Sequence, residues 1–346
     1  MQVEVVRPSE LTDAERSAWS LLQQTSKELD SPFLSPDWAL AVQAAEGPDS
    51  SARVAVFRDD EGRARGFMPL SIPFQTARPL GGAMCDYQAC IAEPGFGIDP
   101  HALIEALGVA KFDFANVLRS QTAFAPYFKG ALPAYSADLS QGYERYAVWM
   151  GENEGILGEL QGLRSEIATH HGELRYRALS RSREDLEQML AWREEPMEPW
   201  AERLIDNLFS ARGQGFGGGL FTLHCGDKLV AAQFYLRGKR TLHAWLCAHD
   251  RALDRFWPGL LLSAGIMRWM DDKPYDTLDF GVGGAFSGRH LCNVVRNVGV
   301  GSVAHPAPAS LLRHAAQKMR AAAGIPAFTE IAALPGRALR AVGGLR

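Results

Sequence analysis

The stretch TLHAWLCAHDRALDRFWPGLLLSAGIMRWMDDKPYDTLDFGVGG, residues 241–284, organises the rest of the chain. It reads as a strand, a basic loop, a buried helix and a second strand. Leu242, Ala244, Leu246 and Ala248 alternate with His243, Trp245, Cys247 and His249, which assigns the two sets to opposite faces of one strand. Arg251 and Arg255 lie in the loop. Pro258 suits the first position of a helix, and Gly259 lets backbone approach closely. Leu260 to Met270 is apolar nearly all round, which predicts burial on every side. Lys273-Pro274 ends that helix, and Thr277 to Phe280 is a second short strand. Two readings of the loop stand side by side. A helix N-terminus preceded by arginines is an anion site. A helix between two strands is also ordinary α/β structure.

Outward from that stretch, composition sets limits. A chain of 346 residues with 47% hydrophobic content has room for two domains with real cores. A formal net charge of −4 gives no global sign of nucleic-acid binding. The five cysteines, at 85, 90, 225, 247 and 292, form no Cys-x-x-Cys pair and no zinc spacing, so no metal site is expected and a reducing compartment is. MQVEVVRPSE lacks the basic head and apolar core of a signal peptide, and no apolar run approaches the ~18 residues of a membrane span. The expectation is a cytoplasmic protein.

In chain order, Gln2 to Val6 predicts a strand, and Thr12-x-x-Glu15 is a capping box opening a helix. Ser35, Pro36 and Asp37 open a second helix. Strands follow at Arg53 to Phe57, Gly66 to Phe74 and Tyr87 to Ala92. Asp99 caps a helix through Leu107, and Phe112 to Leu118 is a strand again. Glu152 to His171 reads as one connecting helix. The same order then restarts: strand Leu174 to Leu179, a helix capped by Ser182, an amphipathic helix through Trp200, Leu204 and Leu208, and the hairpin Leu220 to His224 with Leu229 to Leu236. Two copies of one element order argue for tandem duplication. The expected boundaries are 1–150, a connector at 151–172, a second domain at 173–305 and a basic helical tail at 306–346. That tail reads as a solvated helix or as a contact with a membrane surface or partner.

Several segments together, SPFLSPDWALAV, RARGFMPLSI, DYQACIAEPG, LVAAQFYLRGKRTLHAWLCAHD, RFWPGLLL and YDTLDFGVGG, resemble the CelD/BcsL-type acetyltransferases of the GNAT superfamily, relatives of the FemAB proteins. The resemblance runs over roughly residues 30 to 300 and rests on the order of weak motifs. The family usually follows its Asp-Phe-Gly with an acidic residue and a Tyr-Lys pair; here Val282, Gly283, Gly284 and Ala285 follow Gly281. The resemblance implies an α/β (α+β) fold, two GNAT-like mixed-sheet domains in tandem, with acetyl-CoA as co-substrate. It also implies transfer to an amine or hydroxyl of a sugar or lipid-linked precursor of an envelope or exopolysaccharide, at the inner membrane face and alongside membrane-associated assembly proteins. It maps the carrier's pyrophosphate onto Arg255, Phe256, Trp257, Gly259 and Leu260, and the acceptor side onto Trp192, Glu194, Glu195 and Trp245. The physical warrant for the first set is independent: free N–H groups, the helix dipole and a guanidinium converge.

Acyl transfer also needs a base for the nucleophile. His249 ends the strand where an acyl group would lie, and a neutral imidazole takes a proton near pH 7. Asp279 is a carboxylate on the neighbouring strand, and the two are expected to face one thioester. Asp250 and His243 are further candidates. Two rival readings remain: a FemAB-like transferase using aminoacyl-tRNA, against which stands the lack of a basic helical arm, and a non-catalytic module in polysaccharide assembly, which the missing Tyr-Lys pair keeps open.

Overall fold

The computed structural model describes residues 2–153, 155–193, 196–211, 216–284 and 286–304. The expected basic tail at 306–346 lies outside them. The chain forms two compact units. Among the described residues, one comprises 2–29, 33–132 and 297–304; the other comprises 30–32 and 133–296. The chain thus changes unit at Leu132/Pro133 and again at Arg296/Asn297, where the sequence reading set its first boundary at residue 150.

The elements follow in order as β1 (Gln2–Val6), α1 (Asp13–Gln23), α2 (Pro36–Glu46), β2 (Ala52–Arg58), β3 (Ala64–Ser71), β4 (Thr76–Pro79), β5 (Ile91–Ala92), α3 (Pro100–Ala106), β6 (Lys111–Leu118), β7 (Phe128–Asp138), α4 (Tyr143–Asn153), α5 (Ile156–His171), β8 (Leu174–Ser180), α6 (Arg183–Ala191), α7 (Pro199–Ser210), β9 (Gly217–Cys225), β10 (Lys228–Arg237), β11 (Thr241–His249), α8 (Pro258–Met270), β12 (Thr277–Val282), α9 (Phe286–Leu291) and β13 (Val294–Ala304). The caps read from the sequence form: Thr12 Oγ1 accepts from Glu15 N, Ser35 Oγ from Trp38 N, Asp99 Oδ1 from His101 N and Ser182 Oγ from Asp185 N. Two expectations are corrected. The strand expected from Tyr87 shrinks to Ile91–Ala92, with Gln88 making only an isolated bridge to Val117. The single connecting helix is two helices, because Gly155 takes a left-handed conformation (φ 67°) between α4 and α5.

The first unit has strand order β1-β2-β3-β4-β6-β13, with β5 added to β3. The second has β8-β9-β10-β11-β12-β7. In each, the first four strands run antiparallel, the fourth and fifth pair in parallel, and the sixth is antiparallel to the fifth. A pair of helices follows the first strand in both, and one helix joins the fourth to the fifth. The fold is a tandem duplication of one mixed-sheet α/β unit. Each sixth strand comes from the segment after the other copy's fifth: β7 follows β6 but pairs with β12, and β13 follows β12 but pairs with β6.

In the second unit α8 covers one sheet face. Leu260, Leu261, Leu262, Ile266, Met267 and Met270 are all at most 2% exposed, each contributing about 1.5–3 kcal/mol on burial. They pack with Ile156, Leu160 and Ile167 of α4–α5's segment and with Phe221, Leu223, Leu242, Ala244, Leu278 and Phe280 of the sheet. The opposite face carries Phe234, whose ring meets Phe209 of α7.

Candidate functional site

The alternation expected along β11 does not run its full length. Phe234 of β10 pairs with Leu246, but Tyr235 pairs with Ala244, so Trp245 is an extra, bulged residue. The bulge reverses the parity of everything after it. Leu242 and Ala244 share the α8 face with Leu278, and beyond the bulge the same face carries Cys247 and His249 instead of Leu246 and Ala248. Trp245 turns the other way and meets Phe234 edge-on at 5.9 Å. It is 2% exposed, a core ring on the α6–α7 side.

Cys247 and His249 converge on the start of α8. A Cβ placed on Gly259 would stand 3.6 Å from Cys247 Sγ, 3.7 Å from Ser287 Oγ and 3.9 Å from His249 Nδ1. Glycine leaves that space to the three functional groups. After His249 the chain coils into a tight turn, Arg251–Phe256, capped by Asp250, whose Oδ1 accepts from Ala252 N at 3.0 Å. The turn carries Asp254 back to the imidazole: His249 Nε2 and Asp254 Oδ1 are 2.8 Å apart. A carboxylate accepts only, so Nε2 holds the proton and Nδ1, on the Gly259 side, has the free lone pair. Asp250 is committed elsewhere. It pairs with Lys228 at 2.6 Å, and that contact holds its carboxyl below the ordinary carboxylate range.

The helix start is poorer in donors than expected. Trp257, in a left-handed conformation (φ 50°), is the N-cap and makes no side-chain cap. Pro258 has no N–H, and the Leu260 and Leu261 amides both return to the Trp257 carbonyl. Among the described residues only the Gly259 N–H is left for a ligand in the first turn. Leu260 and Phe256 are 1% exposed, and Phe256 meets His171 edge-on at 5.5 Å, so it is core and no lid. Arg255 is the accessible cation: its side chain is 64% exposed, 3.8 Å from Glu166, with the guanidinium 4.3 Å above the Phe256 ring.

Asp279 occupies a different place from the one expected. It pairs with His243 across β11–β12 and lies with it on the face away from α8, His243 Nδ1 at 3.5 Å. It is 1% exposed. One oxygen accepts from Gly281 N at 2.8 Å and the other from Arg296 at 2.7 Å. Gly281 has φ 78° beside an irregularity in the β12–β7 register, so Asp279 fixes the course of β12. On the expected acceptor side, Trp192 is half-buried at the end of α6; Glu194 and Glu195 lie outside the described residues. Asp254, Cys247 and Ser287 are the groups the sequence reading passed over. The signal for Asp254 was its spacing of five from His249 across a capped turn.

Residues 160–286, which contain β11, the turn and α8, match the family model described as the acetyltransferase (GNAT) domain. That match lies within the second unit and is a similarity over little more than a third of the chain. Most of the chain has the fold of several solved structures. One is the C-terminal domain of a protein from Agrobacterium fabrum named as a lysylphosphatidylglycerol synthetase (15% identity, 90% of this chain and 97% of that one, TM-score 0.53). A second is a tandem GNAT protein from the clavulanic acid biosynthesis pathway (13% identity, 88% and 98%, TM-score 0.52). A third is FemX (11% identity, 87% and 96%, TM-score 0.50). No curated protein matches by sequence. Among the described residues no helix is long and apolar enough to cross a membrane.

Proposed function

We propose that the protein is an acyl-CoA-dependent N- or O-acyltransferase of the CelD/BcsL type, acetylating a sugar or lipid-linked precursor of an envelope polysaccharide. The observation that carries this reading is the His249–Asp254 pair at the open end of β11, within the stretch similar to the GNAT domain and beside the start of α8. Asp254 fixes the tautomer, so Nδ1 takes the proton from the attacking amine or hydroxyl. The bulge at Trp245 re-aims ladder amides where a thioester carbonyl would lie alongside β11. Arg255 and the Gly259 N–H are the groups that hold the carrier's phosphates. A lipid-linked acceptor places the reaction in the cytoplasm at the inner membrane face. Calorimetric titration with acetyl-CoA tests the reading: saturable binding with release of free CoA on adding a sugar amine supports it, and no binding sinks it.

The single free amide at α8 favours a second reading, a FemAB-like transferase whose aminoacyl-tRNA carrier needs no pyrophosphate there. The same titration with aminoacyl-tRNA separates the two. Inertness toward both carriers would leave a non-catalytic module.

A further inference from the structure

We propose that Cys247 is a nucleophile that carries the acyl group covalently between the thioester donor and the acceptor. This rests on the acyltransferase reading above and specifies its chemistry.

Of the five cysteines, Cys85, Cys90 and Cys225 are buried, and Cys247 and Cys292 are half-buried. Burial pushes the Cys85 thiol up to about 12, an inert side chain; Cys90 and Cys225 are pushed up by the same cause. Cys247 lies instead beside the start of α8. The bulge turns it to the α8 face, two residues before His249. Its sulfur lies 3.6 Å from the Cβ position of Gly259, the second residue of a 13-residue helix whose N-cap supplies no side chain to its amides. The positive end of such a helix stabilises a thiolate. His249 Nδ1 lies 3.9 Å from that same Cβ position, and Asp254 holds the other ring nitrogen. Thiol, imidazole and carboxylate are the parts of an activated cysteine nucleophile.

An independent feature is a buried polar atom on the strand beside Cys247. Gln233 is the direct cross-strand neighbour of Cys247 and lies on the same face. It is 2% exposed, and its Oε1 has no hydrogen-bond partner among the described residues. A buried amide oxygen left open costs about 1–3 kcal/mol, and an N–H or O–H of the acceptor beside the sulfur satisfies it.

In the first half-reaction His249 Nδ1 takes the Cys247 proton. The thiolate attacks the acyl carbonyl carbon, a new C–S bond forms, and the carbon–sulfur bond to CoA breaks. The electron pair leaves on the CoA sulfur, which takes the proton from the imidazolium. In the second half-reaction the acceptor amine or hydroxyl attacks the acyl-cysteine. Nδ1 takes its proton, the acyl–Sγ bond breaks, and the proton returns to Sγ.

The test is intact-protein and peptide mass spectrometry of the full chain after mixing with acetyl-CoA alone, then with hydroxylamine as a surrogate acceptor. One acetyl mass on the Cys247 peptide, discharged by hydroxylamine, is expected. Cys292→Ser should keep it. Cys247→Ala and His249→Gln should lose it, Cys247→Ala with acetyl-CoA affinity unchanged and hydroxylamine-dependent CoA release down ~10²-fold or more. Release at the wild-type rate in Cys247→Ala, or an adduct that survives in His249→Gln, overturns the proposal. Binding and turnover without an adduct overturns it too, while leaving the acyltransferase reading in place. Wild-type protein that neither binds acetyl-CoA nor releases CoA defeats both.

Discussion

His249 and Asp279 stand on opposite faces of the second unit's sheet. His249 shares its side with α8, through the Gly259 contact, while Asp279 shares the other with His243. The bulge at Trp245 is the cause, since without it His243 and His249 would share a face. The two residues therefore stand in different surroundings, and variants at each should fail differently.

His249→Ala is expected to lower acyl transfer ~10²-fold or more while the thermal midpoint stays within a degree or two of wild type. Asp254→Asn should lower it less, because the imidazole remains but its tautomer is no longer fixed. Steady-state CoA release on folded, purified variants measures both. Equal activity in all three proteins moves the base away from this pair.

Asp279→Ala should act on stability. The carboxylate is buried and bonds both the Gly281 amide and Arg296, whose side chain is 26% exposed. Removing a charged acceptor from two donors costs about 2–3 kcal/mol. Urea unfolding should show the unfolding free energy falling by that amount, as a lower midpoint with an unchanged slope. A fully stable variant that has lost turnover would return Asp279 to the catalytic centre.

Gly259→Ala adds a Cβ at 3.6–3.9 Å from Cys247, Ser287 and His249, which is ordinary contact distance. The helix should therefore tolerate it and even gain a little from the better propensity. Gly259→Val fills the shared space and should abolish turnover in a folded protein. Circular dichroism and CoA release together check this pair.

The parts of this arrangement that could be read in the sequence are those with local causes. Pro258 and an all-apolar run announce α8, and Thr12, Ser35, Asp99 and Ser182 announce their helices through caps that need no distant partner. The repeat of element order is also visible along the chain. The bulge was hidden because Thr241–His249 alternates without a break in sequence, and the extra residue shows only in the register with β10. The exchange of β7 and β13 depends on pairing with strands more than a hundred residues away, which no local pattern encodes. Asp279 misled for a related reason. A carboxylate between Leu278 and Phe280 must be compensated, and only the fold shows that Arg296 and the Gly281 amide do it.

His224 on β9 and Asp185 in the first turn of α6 form a second buried pair, Nε2 to Oδ1 3.4 Å. Burial pushes the His224 imidazole below its ordinary 6.5, outweighing the pull of the Asp185 carboxylate; the Arg177 and Arg175 charges push the same way as burial. The folded state thus favours the neutral ring, and below pH 6.5 the unfolded chain binds the extra proton. Stability from this residue should be complete above pH 6.5 and lost as pH falls through the folded value. Denaturation midpoints between pH 7.5 and 5 should fall on acidification, and His224→Gln should flatten that slope (pH range chosen about the ordinary value). A slope of the opposite sign attributable to His224 would mean that its charged form is the one the fold stabilises.

The duplication offers two helices after a fourth strand, yet the charges at their starts predict that only one holds an acyl carrier. In the first unit Asp99 caps α3, its Oδ1 accepting from His101 N at 2.9 Å, and Glu93 is held by Arg65, Nε to Oε1 2.7 Å. The Asp99 carboxylate thus occupies a donor of the first turn and repels a pyrophosphate. In the second unit no side chain caps α8, and Arg255 stands 64% exposed beside it, over the Phe256 ring and 3.8 Å from Glu166. A lost charge-assisted hydrogen bond costs about 1.5–3 kcal/mol, so Arg255→Ala should weaken acetyl-CoA binding roughly ten- to hundredfold, the exposure of the side chain favouring the lower end. Glu93→Gln and Asp99→Asn should leave affinity unchanged. Calorimetry should give one site per chain in the wild type. Two sites per chain, or full affinity in Arg255→Ala, would show that the carrier is held by other groups.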